Sequence, residues 1–223
     1  MTVLHLADEG EAADLAAFLS RLLHYDRGAA VRLQAAGTAL AVFGRPPSFE
    51  VLAIRAVRLA KPYENGLDVT LDVTVSAGEL LESVDESAAT AVVPDAVTGP
   101  PWAGVLPPRG GWRPEPGLPA PDALRSMVSA AVAEFRSRTE ELATERRTRA
   151  ELDRIGREIW SRTVGDTRLP VRAVHAAQSL GFLRAEGIEP ALFSSGAWLR
   201  LRTPYGSVAV RRAGLGALDV SVR

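Results

Sequence analysis

Cysteine is missing from all 223 residues, and Lys61 is the sole lysine. Without thiols the chain has no disulfide framework, no thiolate nucleophile and no cysteine-based zinc site. No apolar run approaches the roughly 18 residues that span a bilayer, so no membrane partner is expected. The opening segment Met1-Thr2-Val3-Leu4-His5-Leu6 lacks the basic stretch and long apolar core of a secretory signal. A cytoplasmic location is the simplest expectation.

Catalytic signatures are also lacking. The three histidines are His5, His24 and His175. None has a second histidine four residues on, and no HExxH occurs, which excludes a zinc-protease arrangement. His24 stands near Asp26 at a predicted helix end, where attraction to the helix dipole accounts for it without chemistry. Ser194 and Ser195 lack the glycine two positions ahead that a nucleophile elbow needs. The stretch Ala213-Gly214-Leu215-Gly216-Ala217 lacks the third glycine and following helix of a dinucleotide site, and no Walker lysine is present. Asp68 and Asp72 share the polar face of a predicted strand, where solubilising roles are the plainer reading. No catalytic residue, metal site or cofactor is therefore expected, and the chain reads as leaning away from an enzyme.

What is abundant is arginine, and its excess over lysine, with much Ala, Gly and Pro, has the look of a GC-rich bacterial genome. In such a background an arginine patch is weaker evidence for phosphate binding than usual. The net charge of −1 hides a split, because residues 1–122 carry 9 basic and 16 acidic side chains and residues 123–223 carry 17 and 11. Either the rear half presents a basic binding face or the two halves attract each other.

The chain also echoes itself. Shifted by 159 residues, 12–59 falls on 171–218 with nine identities: Ala17/Ala176, Ser20/Ser179, Gly28/Gly187, Leu33/Leu192, Gly37/Gly196, Leu40/Leu199, Ser48/Ser207, Val51/Val210 and Leu59/Leu218. Composition alone gives about four. Strand register offers a second test. In the rear copy, pairing Arg202 with Ser207 sets Leu201 opposite Val208, Leu199 opposite Val210 and Trp198 opposite Arg211. In the front copy, pairing Phe43 with Ser48 sets Val42 opposite Phe49 and Leu40 opposite Val51, again on one apolar face. Leu52 and Ile54 point the other way, so the front copy is expected to be buried on both sides.

Between the copies, Val69, Leu71, Val73 and Val75 alternate with polar residues and predict a strand over 67–75. A helical turn or two is expected over 76–84. Apolar spacing predicts helices from Pro121 and, after a break near 144–148, from Thr148, with one continuous helix as the alternative. The fold class is α+β: two pseudo-symmetric helix-plus-three-strand antiparallel repeats with an inserted strand and helical hairpin. The divisions are 1–93 for the front repeat and extra strand, 94–121 for a Pro/Gly/Trp-rich loop, 122–163 for the hairpin and 164–223 for the rear repeat.

Two candidate binding surfaces emerge. One is the rear sheet face carrying Trp198, Arg200, Arg202 and Arg211, which is either open to a partner or covered by the hairpin acids Glu140, Glu141 and Glu145. The other is the loop holding Trp102, Arg109 and Trp112, where proline preorganises the backbone and tryptophan supplies contact area. The same loop could instead be clasped onto its own domain by two buried indoles. The expected function is a non-enzymatic interaction or scaffold protein with a protein partner, a homodimer being one allowed assembly. Nucleic-acid binding through the basic rear half is the alternative, in a winged-helix manner with Arg172, His175 and Gln178 as readers. A small-ligand or enzymatic pocket between the repeats is the second alternative.

Overall fold

A computed structural model describes residues 2–60, 71–102, 105–184, 187 and 189–212. Ten strands occur among them: β1 (Thr2–His5), β2 (Ala30–Ala36), β3 (Ala39–Gly44), β4 (Leu52–Arg58), β5 (Leu71–Ser76), β6 (Thr90–Val93), β7 (Arg113–Glu115), β8 (Ala191–Ser195), β9 (Trp198–Thr203) and β10 (Gly206–Arg211). The helices are α1 (Glu9–Tyr25), α2 (Ala77–Glu82), α3 (Pro121–Glu140), α4 (Arg149–Trp160) and α5 (Val171–Ser179).

Local chemistry sets the helix limits. Asp8 caps α1 by accepting the Glu11 N–H at 2.8 Å, and Thr148 caps α4 by accepting the Glu151 N–H at 3.3 Å. Ala12, Leu15, Phe18, Leu19 and Leu22 recur at helical spacing in α1 and are all buried. Between α3 and α4 the chain breaks into a short 3-10 turn at Thr144–Arg146, so the hairpin has two helices. Arg138 bridges them by gripping both carboxylate oxygens of Glu158 at 2.8 and 2.9 Å. Arg162 likewise holds Glu134. These guanidinium hydrogen bonds hold Glu134 and Glu158 below their ordinary carboxylate range.

Eight strands form one antiparallel sheet in the order β5-β2-β3-β4-β10-β9-β8-β7, while β1 and β6 pair apart from it. The architecture is α+β, built from two pseudo-symmetric repeats. In each, a helix precedes three antiparallel strands, α1 before β2-β3-β4 and α5 before β8-β9-β10. Leu33 pairs with Val42 and Leu192 with Leu201, so the shift of 159 is kept through these strands. Gly37 and Gly196 turn both first hairpins with φ of 58° and 53°, a left-handed conformation that favours glycine.

The halves meet where β4 pairs with β10. Phe43 faces Ile54 and its equivalent Arg202 faces Ser207, which makes Ile54 and Ser207 equivalent. Those two residues also face each other. The pseudo-twofold axis therefore passes between them. A fourth strand flanks each repeat, but β5 follows its three-stranded unit in the chain whereas β7 precedes its own. The residues 61–70, which include the beginning of the strand expected over 67–75 and Asp68, lie outside the described residues, and so does the glycine stretch 213–217.

The rear hairpin has the expected register, with Leu201 opposite Val208, Leu199 opposite Val210 and Trp198 opposite Arg211. The front one does not. Val42 faces Arg55 rather than Phe49, and Leu40 faces Val57 rather than Val51. Pro47–Phe49 forms a 3-10 turn and Glu50 takes a left-handed φ of 52°, so six more residues loop out than in the rear hairpin. Six is even, which keeps every side chain on its expected face. Ser48/Ser207 and Val51/Val210 are consequently identities without structural equivalence.

All five helices lie on the leucine side of the sheet, where Leu40, Val42, Leu199, Leu201 and Val208 join α1, α3, α4 and α5 in the main core. Among the described residues no helix is long and apolar enough to cross a membrane.

Candidate interaction surface

The opposite face of the sheet has a smaller apolar centre. Phe43, Leu52, Ile54, Trp198 and Ala209 cluster there, straddling the axis between the halves. Alternation demands this, because each lies one residue away from a side chain that enters the main core. Such a patch needs a cover, and the proline-rich segment supplies it.

Val97 donates to Thr74 beside β5, and the Gly110 carbonyl accepts from Ser195 on β8 at 3.1 Å. Those strands stand six intervals apart in the sheet, roughly 29 Å at about 4.8 Å each. Thirteen residue steps of about 3.1 Å in a polyproline conformation reach roughly 40 Å, leaving slack for the turn that Val105 and Leu106 make back to the Trp102 carbonyl. The described residues on either side of 103–104 form a strap laid across both repeats. Trp102, 5% exposed, is driven into the small core, and Leu106 and Trp112 pack against it. The Trp102 indole N–H is buried with no acceptor among the described residues.

The two expected surfaces are thus one. Trp112 lies over the Arg200 guanidinium at 5.8 Å, and its own N–H donates to the Pro108 carbonyl at 3.0 Å. Trp198 is 8% exposed and carries Arg211 over its ring at 5.3 Å. The rear face is therefore not open at its centre. Nor do Glu140, Glu141 and Glu145 cover it, since the hairpin packs through α3 and α4 onto α5 on the leucine side.

Arginines are prominent among what remains exposed on this side. Arg109, Arg202 and Arg211 are exposed, and Arg200 is half-buried between Phe193 and Ala209 on the neighbouring strands. None of the four forms an ion pair among the described residues, whereas Arg138, Arg149, Arg154 and Arg162 in the hairpin all do. Burial lowers the Arg200 pKa from its ordinary value, and the like charge of Arg202 adds to the effect. Across the sheet, Asp72 is already held by Arg32 at 2.7 and 2.9 Å and by Gln34. Arg32 accounts for most of the lowering of the Asp72 carboxyl, with a smaller contribution from the charge of Arg109.

The other candidates fall elsewhere. Ser194 donates to Glu115 and Ser195 to Gly110, so both serines tie β8 to the segment preceding α3. His5 and His24 are exposed, and His175 stacks on Trp160 at 4.6 Å with Phe49 edge-on at 5.0 Å. Arg172, His175 and Gln178 are half-buried on a helix packed against β10, α3 and α4. Among the described residues no three His, Asp or Glu side chains gather closely enough to hold a metal ion. Phe43, Leu52 and Ile54 as the floor of the strap went unrecognised in the sequence. Their signal was the two-sided burial of the front strand.

Two family models divide the chain. Residues 1–104 match one described as Domain of unknown function (DUF8010), and residues 107–215 match one described as Domain of unknown function (DUF8185). Each spans just under half of the length. Their boundary falls inside the strap, between Trp102 and Trp112. No curated protein matches the chain.

Proposed function

We propose that the chain is a non-enzymatic, cytoplasmic interaction module that docks an acidic segment of a protein partner on the strap side of its rear repeat. The observation that carries this reading is the set Arg200, Arg202 and Arg211, three cations on one sheet face with no carboxylate ion-paired to them among the described residues, with Arg109 exposed on the strap. A half-buried guanidinium without a counter-ion is unfavourable, and a carboxylate from a partner relieves it through a charge-assisted hydrogen bond. A protein is favoured over nucleic acid because Trp102 and Trp198 are buried, which leaves no platform of free aromatic rings for stacking bases.

The test is fluorescence anisotropy with a labelled glutamate-rich peptide, run beside labelled single-stranded RNA and duplex DNA at rising salt. Peptide binding that falls about tenfold or more in the double variant Arg200→Gln/Arg202→Gln supports the reading. Tight nucleic-acid binding with a steep salt dependence, and none for the peptide, replaces it with the nucleic-acid alternative. No binding of any of these probes at low salt overturns both.

A further inference from the structure

The longer connection in the front repeat does more than break the symmetry. The β4–β10 seam pairs only Leu52, Ala53 and Ile54 with Ala209, Val208 and Ser207. Beyond Leu52 the front chain swings away through the 3-10 turn, while β10 continues through Val210 and Arg211. The strands part, and a cleft of about 700 Å³ opens between the halves, roofed by strap residues that include Pro100 and Val105. This volume lies within the roughly 300–1,000 Å³ range of small-molecule sites.

The lining is apolar on its floor, with Leu52, Ala209 and Trp198, and charged at four points: Asp26, Arg45, Glu50 and Arg211. Each acid has a contact of its own. Asp26 accepts the Gly28 N–H at 3.0 Å, and Glu50 lies 3.9 Å from Arg172. The two arginines have no carboxylate partner among the described residues, and Arg211 has only the Trp198 ring. A cleft with a greasy floor and two guanidinium groups that no carboxylate pairs among the described residues can take an organic anion.

We propose that this cleft binds a small organic anion, its carboxylate, sulfonate or phosphate group held by Arg45 and Arg211 and its apolar body lying against Leu52 and Trp198. Guanidinium groups pair with such oxyanions through short charge-assisted hydrogen bonds, and the low-dielectric floor strengthens them. The site is separate from the peptide-docking surface except at Arg211, and Arg45 belongs to the cleft alone.

The experiment is a fluorescence titration of the full chain with anilinonaphthalene sulfonate, an aromatic anion that brightens in apolar surroundings. Neutral N-phenylnaphthylamine is the control. The expected result is saturable one-to-one binding of the sulfonate, weakened about tenfold by Arg45→Gln and by Arg211→Gln and unchanged by Arg202→Gln. The neutral probe is expected to bind more weakly and to ignore Arg45→Gln. Binding that is absent, unsaturable or indifferent to Arg45→Gln overturns the proposal. Arg45 is exposed, so its replacement is not expected to unfold the protein, and an unchanged thermal midpoint checks this. Loss of peptide binding in Arg202→Gln with sulfonate binding intact would separate the two sites.

Discussion

Arg55 donates to the Tyr205 carbonyl at 2.7 Å, a hydrogen bond that crosses the pseudo-twofold axis from one repeat to the other. Its structural equivalent in the rear repeat is Val208, an apolar residue in the main core. The front repeat therefore placed a charge where its twin placed a methyl pair, and it surrounded that charge with acids. Arg55 also donates to Glu11 at 2.9 Å and to Asp14 at 3.2 Å. Glu11 and Asp14 in turn hold Arg58 and Arg184. The Arg184 guanidinium sits 4.5 Å above the Tyr205 ring, closing a polar circuit between α1 and the rear turn.

Breaking that circuit on one side leaves charge stranded. Arg55 is 4% exposed and the Glu11 side chain 11%, so Arg55→Met deprives a poorly solvated carboxylate of one of its two arginines. The expected loss is about 3–5 kcal/mol, read from the denaturant midpoint. Adding Glu11→Gln to Arg55→Met recovers part of the loss. Strict additivity of the two substitutions would mean that the pair is not coupled.

The strap makes a graded prediction. Trp102→Ala removes one of the two buried tryptophans of the small core from a site 5% exposed, and the expected cost is about 3–5 kcal/mol. Trp112→Ala removes a half-buried ring and its contact with Arg200, for about 1 kcal/mol. Thermal melts of the two variants check the order. Equal effects would show that the strap is held by its ends rather than by Trp102.

Much of this fold is written in local pattern. The rear hairpin is legible because Pro204 and Tyr205 form a two-residue loop and the flanking leucines and valines alternate without interruption. The front hairpin is not, since Pro46-Pro47 resembles a tight turn in sequence but leads into a 3-10 turn and a left-handed Glu50. Periodicity carries face but not loop length, and only an even insertion left the face assignments intact. Strand β7 escapes notice because three residues centred on Pro114 carry no alternation. At the candidate surface, Trp102, Trp112, Trp198 and Arg200 stand out by residue type. Their mutual contact depends on a chain that crosses six strand intervals, and no local rule reports that.

Close approach at the rear turn yields another test. A Cβ on Gly206 would lie 2.4 Å from a carbon of the Phe182 ring, which is itself buried and stacked on Phe18 at 5.7 Å. The ring cannot retreat, and the φ of 159° adds strain for any other residue. Gly206→Ala is expected to lose about 1–3 kcal/mol or more by overpacking. Pairing it with Phe182→Leu should restore part of that loss in the same urea titration, because the smaller side chain vacates the contested space. No restoration would place the strain in the backbone instead.

His175 gives the chain an acid sensitivity of defined sign. Its imidazole stacks on Trp160 and meets Phe49 edge-on, and burial among them pushes its pKa below the ordinary value of 6.5. Above that value the ring is neutral in both the folded and the unfolded chain, and pH has no leverage through it. As pH falls past 6.5, the unfolded chain takes up a proton that the folded chain refuses, so stability declines. The decline levels off once pH passes the lowered folded value. His175→Phe preserves an aromatic side chain for the stack and removes the titrating group. The urea midpoint of the parent chain is therefore expected to drop between pH 7.5 and 5.5 by more than that of the variant. Parallel midpoints across that interval would show that His175 is solvated enough to protonate equally in both states.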